Sequence, residues 1–181
     1  MKCLVANWLF IFSSLFAFGQ KADTLVIPAL PLLENRIAYT GNINKDSAIS
    51  TRDLFHNAEE WYTHNYESAD NTLTIDNIND GKISGTGIIH KKKKERKLDA
   101  EDIYFTIDIV SGKGGYFYKV YAIYSMDSTG KFYYSDMYNE YLYPVPKPKW
   151  SPQYKVKMLT NMNSRVQQMI TQMQADLQKN K

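Results

Sequence analysis

The sequence predicts an α+β domain in which an antiparallel sheet of about five to six strands carries helices on one face. Amphipathic helical patterns occur near the start of the domain and again at its C-terminal end, and the segments between them alternate apolar and polar residues. Turn-forming residues such as Asn79-Asp80-Gly81 separate these alternating segments. The predicted element order is β-α-β-β-β-β-α.

The first strand and the first helix come directly after one another. Apolar side chains alternate around Gly41, at Ile37, Tyr39 and Ile43, which predicts a half-buried strand. Ser50 and Asp53 resemble a helix capping box, and the apolar residues that follow recur at helical spacing. We therefore expect an amphipathic helix over residues 51 to 66.

The central part of the chain predicts an antiparallel meander. Alternating patterns indicate strands near 72–76, 82–90, 103–109, 116–126 and 132–137. Gly85 and Gly87 stand where side chains are expected in the second of these strands. They indicate a bulge or close packing against the helix.

The C-terminal part begins with a connector that contains four prolines. Residues 144 to 152 are predicted to be extended because Pro144, Pro146, Pro148 and Pro152 disfavour regular structure. An apolar stripe of about 120° then predicts a helix over 153–179 that covers the sheet. Its methionine-rich seam could instead pair with another helix. Residues 35–181 are expected to form a single domain.

The N-terminal segment has the pattern of a secretion signal. Lys2 precedes an apolar stretch from Leu4 to Phe18 that is shorter than a bilayer span, and Ala17 and Gly19 fit a signal-peptidase site. We expect residues 1–19 to be a signal peptide and residues 20–34 a linker. The alternative is a retained membrane anchor. Because Cys3 precedes the apolar stretch, it does not fit a lipidation site.

Loss of the signal peptide would change the chemistry available to the mature chain. Cys3 is the only cysteine, so 162 of the 181 residues would remain without a disulfide or a thiolate metal site. Lys2 is the only charged residue removed, which leaves 21 basic and 19 acidic residues. Because the charges nearly balance, the mature chain should lack the strong positive electrostatic field that would attract nucleic acid.

Three stretches of the sequence together resemble a bacterial family. They are Tyr39-Thr40-Gly41-Asn42-Ile43, the helix from Asp53-Leu54-Phe55 to Trp61, and Gly81-Lys82-Ile83-Ser84-Gly85-Thr86-Gly87. With the export signal, they resemble the bacterial secreted domain of unknown function 4468 over residues 35 to 125. The resemblance implies a TATA-binding-protein-like (TBP-like) fold and an envelope location. It implies no functional residue.

Metal binding and catalysis have little support in the sequence. His56, Glu60 and His64 share one helix face and could supply half of a zinc site, but no motif names the further ligands, so we expect a solvated polar stripe. Asp99, Glu101 and Asp102 are candidates for acid-base chemistry, although they lie beside lysines that they could neutralise. No serine occupies a Gly-x-Ser-x-Gly elbow. We expect no enzyme activity, no metal site and no cofactor.

Two segments are candidates for binding. Lys91, Lys92, Lys93 and Lys94 could hold anionic headgroups or acidic glycans, or could form a solvated loop that protects a strand edge. Eleven aromatic residues lie between Tyr116 and Tyr143. Strict alternation places Tyr116, Tyr118 and Tyr124 on one face as a possible binding platform. The alternative is that residues 138 to 150 fold back over this face.

The sequence thus predicts a non-enzymatic envelope protein that binds a ligand or partner through its sheet. The expected partner is an envelope protein, a glycan or a lipid headgroup, and not nucleic acid. The expected location is the periplasm or cell envelope of a Gram-negative bacterium, with release from the cell as a further possibility. Two alternatives remain open: a hydrolase-like enzyme with a dispersed active site, and a structural or assembly component of the envelope.

Overall fold

The computed structural model describes residues 26–27, 29–66, 73–91, 101–127 and 130–179. The predicted signal peptide and Lys92, Lys93 and Lys94 lie outside the described residues. Within the described residues, no helix combines the length and apolar character needed to cross a membrane.

The described residues form eight strands and three helices. The strands are β1 Leu32–Leu33, β2 Arg36–Ile37, β3 Tyr39–Asn44, β4 Leu73–Asn77, β5 Lys82–Ile89, β6 Ile103–Gly112, β7 Gly115–Asp127 and β8 Gly130–Tyr133. The helices are α1 Thr51–Tyr66, α2 Tyr134–Leu142 and α3 Pro152–Lys179. The predicted bounds of α1 are confirmed, and α3 begins one residue before its predicted start.

The main sheet is antiparallel and has six strands. Its order is β3-β7-β6-β5-β4, and β8 also pairs with β7. The first half of β7 pairs with β3, from Tyr39↔Val120 to Asn44↔Gly115. Its last residues pair with β8 along the same edge, from Tyr124↔Tyr133 to Asp127↔Gly130. The long strand β7 therefore brings residues of β3, β6 and β8 onto one surface.

The three described helices pack on the same face of this sheet. From α1, the Tyr62 hydroxyl donates a hydrogen bond to the Thr86 carbonyl oxygen over 2.6 Å. A Cβ atom added at Gly85 would collide with the Tyr62 ring, so this glycine provides the close packing against the helix that was predicted. From α3, Asn163 Oδ1 accepts a hydrogen bond from the Tyr39 hydroxyl over 2.8 Å.

Two charged residues of α3 are buried where the helix crosses the domain. Arg165 donates hydrogen bonds to the carbonyl oxygens of Glu101 and Ile89, both over 2.7 Å. These carbonyls lie at neighbouring ends of β5 and β6, so one guanidinium fastens both strand ends to the helix. Lys155 forms an ion pair of 2.7 Å with Glu140 of α2 and so joins the two helices.

The helix α2 corrects the prediction of a strand over 132–137. The strand ends at Tyr133, and residues 134–142 are helical. Tyrosines favour strands in isolation, but the residues that α2 buries, Tyr134, Met137 and Tyr138, have the i, i+3, i+4 spacing of a helix face. The helical spacing therefore prevails over the β propensity of the tyrosines.

The segment before β3 contributes to the core. Ile27 and Leu30 are buried in the hydrophobic core, although they fall within the predicted linker. Leu32–Leu33 and Arg36–Ile37 form a two-stranded hairpin closed by Glu34 and Asn35, both at positive φ. Positive φ at both central positions is typical of the type I′ turns that close tight hairpins.

Candidate functional site

The face of the sheet opposite the helices carries the candidate site. The burial pattern of β6 alternates strictly, with buried residues toward the helices and half-buried residues outward. We use the name open face for the outward side chains of β3 and β5–β8. These side chains remain at least partly exposed, apart from the buried Ser84.

Strand pairing arranges the open face in rows that run across the strands. The register aligns outward residues as Ile88, Tyr104, Tyr124 and Tyr133; then Thr86, Thr106 and Tyr121; then Ser84, Asp108, Lys119 and Thr40; then Lys82, Val110, Phe117 and Asn42. Successive rows are two residues apart along β6, and neighbouring strands lie about 4.8 Å apart. The four rows span about 20 Å along the strands and about 14 Å across them.

The first row joins three tyrosines from three strands. The rings of Tyr104 and Tyr124 stack, with 5.0 Å between their centroids and 10° between their planes. Tyr133 lies 5.6 Å from Tyr124 at a tilt of 57°. Because Tyr104 and Tyr124 cover each other, the tilted Tyr133 is the most accessible ring of the row, at 39% exposure.

A β-bulge places Tyr124 in this row and corrects the predicted platform. Tyr104 pairs with Tyr124 and Thr106 pairs with Tyr121, so three residue steps of β7 oppose two of β6. The extra residue is Ala122, which has φ +50°. An extra residue reverses the alternation beyond it. Tyr124 therefore points to the open face.

Tyr116 and Tyr118 point the other way. They are 3% and 5% exposed and form part of the core beneath the helices, so they cannot act as an exposed platform. The Tyr118 hydroxyl accepts a hydrogen bond from Gln174 of α3 over 3.1 Å. Burial raises the pKa of the Tyr118 hydroxyl, and the hydrogen bond from Gln174 partly offsets this rise.

Two lysines lie over three of the outward tyrosines. The Lys131 ammonium is 3.7 Å from the ring centroid of Tyr124 and 4.8 Å from that of Tyr133. The Lys119 ammonium is 4.5 Å from the ring centroid of Tyr121. These distances are within the range of cation–π attraction. The positive charges are thus held close to the sheet.

The centre of the open face carries a polar cluster around Asp108. One Asp108 oxygen accepts hydrogen bonds from the hydroxyls of Ser84 and Tyr121, and the other lies 3.3 Å from the Lys82 ammonium. Burial and the Asp108 carboxylate raise the pKa of the Tyr121 hydroxyl. Tyr121 therefore stays protonated at neutral pH and can donate its hydrogen bond.

The fourth row contains the most exposed aromatic ring of the open face. Phe117 is 44% exposed. The segment expected to fold back covers the helix side instead, because Trp150 packs against the inward-facing Phe132 at 5.9 Å between ring centroids. Residues 138–150 therefore leave Phe117 accessible.

The remaining candidates do not assemble into one site. His56, Glu60 and His64 line a shallow depression on α1, and His56 Nδ1 lies 3.2 Å from Glu59. Within the described residues, no group of three or more His, Cys, Asp or Glu side chains is placed to hold a metal ion. Asp102 accepts a hydrogen bond from the exposed Lys91 backbone, and Asp99 lies outside the described residues.

The sequence reasoning missed Tyr104, Lys119, Lys131 and Tyr133 as candidates. Alternation along β6 and β8 predicts the outward direction of Tyr104 and Tyr133. Their contact with Tyr124 depends on the bulge. The bulge residue is Ala122, and not a glycine that would have indicated a bulge in the sequence.

Comparison with known proteins identifies the fold. Residues 39–125 match the model of the family described as domain of unknown function (DUF4468) with TBP-like fold. No curated protein matches the chain.

Two crystal structures have a similar fold, and each is 13% identical in sequence to this chain. A TBP-like protein from Parabacteroides distasonis has a TM-score of 0.63, covering 83% of this chain and 98% of its own. A DUF4468 family protein from Bacteroides ovatus has a TM-score of 0.51, covering 79% and 91%. The predicted α+β, TBP-like fold is confirmed.

Proposed function

We propose that the protein, whose residues 39–125 match the family model described as domain of unknown function (DUF4468) with TBP-like fold, is an exported, non-enzymatic binding module. Its binding surface is the open face of the sheet, and its ligand is a glycan of the cell envelope.

One observation supports this proposal above the others. Five aromatic residues share the sheet face opposite the helices, where a simple solvent-facing sheet carries polar side chains. They are Tyr104, Phe117, Tyr121, Tyr124 and Tyr133. Partly exposed aromatic groups with polar neighbours are typical of interaction surfaces.

The shape and chemistry of the open face favour a saccharide chain. The four rows form a shallow surface, suited to a ligand that lies along the sheet. Tyrosine hydroxyls, lysine ammonium groups and threonine hydroxyls can bond to sugar hydroxyls, and Tyr133 and Phe117 offer ring surface to the apolar faces of sugar rings. This combination fits a polymer that is polar at its edges and apolar on its ring faces.

Binding is tested with the double variant Tyr124→Ser and Tyr133→Ser. A glycan array of peptidoglycan fragments and envelope oligosaccharides identifies a ligand of the wild-type mature chain, and calorimetry then measures its affinity. We expect the double variant to bind at least tenfold more weakly, because it loses the accessible ring of Tyr133 and the Tyr124 ring that stacks on Tyr104 in the same row. The matched control is Tyr143→Ser, which removes a tyrosine that is 73% exposed outside the open face. Equal affinity of the folded double variant and the control would contradict the proposal.

Export is part of the same proposal and has its own test. The N-terminal pattern predicts cleavage after Gly19. N-terminal sequencing of the protein recovered from fractionated cells should begin at Gln20, and the protein should appear in the periplasmic or envelope fraction. A cytoplasmic protein that keeps Met1 would contradict export.

A further inference from the structure

We propose that the glycan bound by the open face is acidic, and that Lys119 with Tyr121 and Lys131 with Tyr124 form two subsites for its carboxylate groups. This inference rests on the proposed function and specifies its ligand.

The charges of the open face support an anionic ligand. In the described part of the chain, Lys119 and Lys131 form no ion pair with a carboxylate. Asp108, the acidic residue of the four rows, already has Lys82, Ser84 and Tyr121 as partners. Two positive charges therefore remain available to a ligand.

The tyrosines hold these ammonium groups in place. Lys131 lies between the rings of Tyr124 and Tyr133, and a hydrogen bond with Tyr133 raises the pKa of its amine. The amine therefore stays charged at neutral pH. A lysine already restrained on the surface loses less side-chain entropy when it binds an anion. The Lys119 ammonium is likewise restrained over a single ring, that of Tyr121, at 4.5 Å from its centroid.

The spacing of the subsites fits a repeating acidic polymer. Tyr121 and Tyr124 oppose Thr106 and Tyr104, which lie two residues apart on β6. Two residues of a strand span about 7 Å. Two ammonium groups held over neighbouring rows can contact carboxylates on nearby sugars of one chain.

The geometry favours a glycan over single-stranded nucleic acid. Nucleic-acid platforms need aromatic faces that are open to stacking bases. The stacked rings of Tyr104 and Tyr124 each cover one face of the other, and the Lys131 ammonium covers the remaining face of the Tyr124 ring. The first row therefore presents ring edges and one tilted ring, which suit hydroxyl and carboxylate groups better than flat bases.

The test compares oligogalacturonate with the same oligosaccharide after reduction of its carboxyl groups. We expect the wild-type protein to bind the acidic form at least tenfold more tightly and more weakly as salt increases. The double variant Lys119→Gln and Lys131→Gln should lose this preference. The variant Lys147→Gln, which changes an exposed lysine of the connector, should keep it.

The outcomes separate this inference from the proposed function. Equal binding of both oligosaccharides, or an unchanged preference in the lysine double variant, overturns the acidic-ligand inference. If the tyrosine double variant still loses glycan binding in that case, the proposed function stands alone. If the wild-type protein binds a glycan and the tyrosine double variant binds it equally well, both the proposed function and the acidic-ligand inference fail. Tighter binding to a thymidine oligonucleotide or to phosphatidylglycerol vesicles than to oligogalacturonate also overturns the inference.

Discussion

Tyr104 and Tyr124 stack across β6 and β7 with 5.0 Å between their ring centroids, although strict alternation along β7 would place Tyr124 on the opposite face. The extra residue at Ala122 makes the contact possible by reversing the alternation. One backbone irregularity therefore assembles the first row of the open face. The same irregularity turns Ile123 into the core.

The conformation of Ala122 predicts a stabilising substitution. An L-residue with a side chain is strained at φ +50°, by about 1 kcal/mol, whereas glycine is not. We expect Ala122→Gly to raise the free energy of unfolding by up to about 1 kcal/mol in urea titration. The control is Ala48→Gly, at an exposed turn position with ordinary φ, which should be neutral or destabilising. Destabilisation by Ala122→Gly that matches or exceeds the control would contradict the strain at Ala122.

A side chain at position 85 should crowd the interface between α1 and the sheet and lower the free energy of unfolding. An added Cβ would overlap the ring of Tyr62, which a hydrogen bond to Thr86 holds in place. We expect Gly85→Ala to lower the free energy of unfolding by about 1–3 kcal/mol. Gly112→Ala is the control, since its Cβ would have no neighbour within 4 Å. Similar unfolding midpoints for the two variants would show that Tyr62 moves aside freely.

The buried pair of Glu140 and Lys155 predicts an acid-dependent component of stability. Burial alone would raise the pKa of Glu140, but the Lys155 ammonium and two backbone N–H groups together hold it below its ordinary value of 4.5. A lowered folded-state pKa means that the contribution is complete above pH 4.5 and is lost as the pH falls through the folded-state value.

The variant Glu140→Gln tests this component. It should lower the free energy of unfolding at pH 7 by about 2–4 kcal/mol, because it leaves the Lys155 ammonium buried without its carboxylate. The difference from wild type should shrink below pH 4.5. The exposed pair of His56 and Glu59 provides the control Glu59→Gln, with an expected change below about 0.5 kcal/mol. A Glu140→Gln effect that is constant from pH 7 to pH 3 would contradict the pKa direction.

Arg165 predicts a link between α3 and the first row. Its two hydrogen bonds are accepted by the carbonyl oxygens of Ile89 and Glu101. Ile89 directly follows Ile88 on β5, and Glu101 lies just before the strand β6 that carries Tyr104. Lysine cannot reproduce this forked geometry. We expect Arg165→Lys to cost about 2 kcal/mol and to speed amide hydrogen exchange at the adjoining ends of β5 and β6. Unchanged exchange there would show that the helix does not restrain these strand ends, and Arg52→Lys on an exposed position is the control.

Most of the fold follows from local patterns. Turn residues, alternation and helical spacing predict α1, α3 and the meander, because each pattern reports directly on a buried face. The helix α2 was missed because tyrosines favour strands, while its burial spacing over Tyr134, Met137 and Tyr138 is helical. That spacing is the signal in the sequence that predicts α2.

The candidate site was predicted only in part. An aromatic sheet face was expected, but Tyr116 and Tyr118 were assigned to it and Tyr133 was not. Strict alternation groups Tyr124 with Tyr116 and Tyr118, and this grouping fails at Ala122. Alternation also does not say which face of β7 packs against the helices, and that face is the one with Tyr116 and Tyr118. The residue type at Ala122 does not indicate the bulge. The bulge results from the pairing of β7 with β6 and β8, which leaves one extra residue in β7.

Chemical-shift mapping by nuclear magnetic resonance tests the central claim most directly. The mature protein is titrated with the oligosaccharide that binds it most tightly on the glycan array. The largest amide shifts should lie on β6, β7 and β8 around Tyr104, Tyr124 and Tyr133, with small changes along α1 and α3. Shifts concentrated on the helices, with β6–β8 unchanged at saturation, would contradict the assignment of the open face as the binding surface.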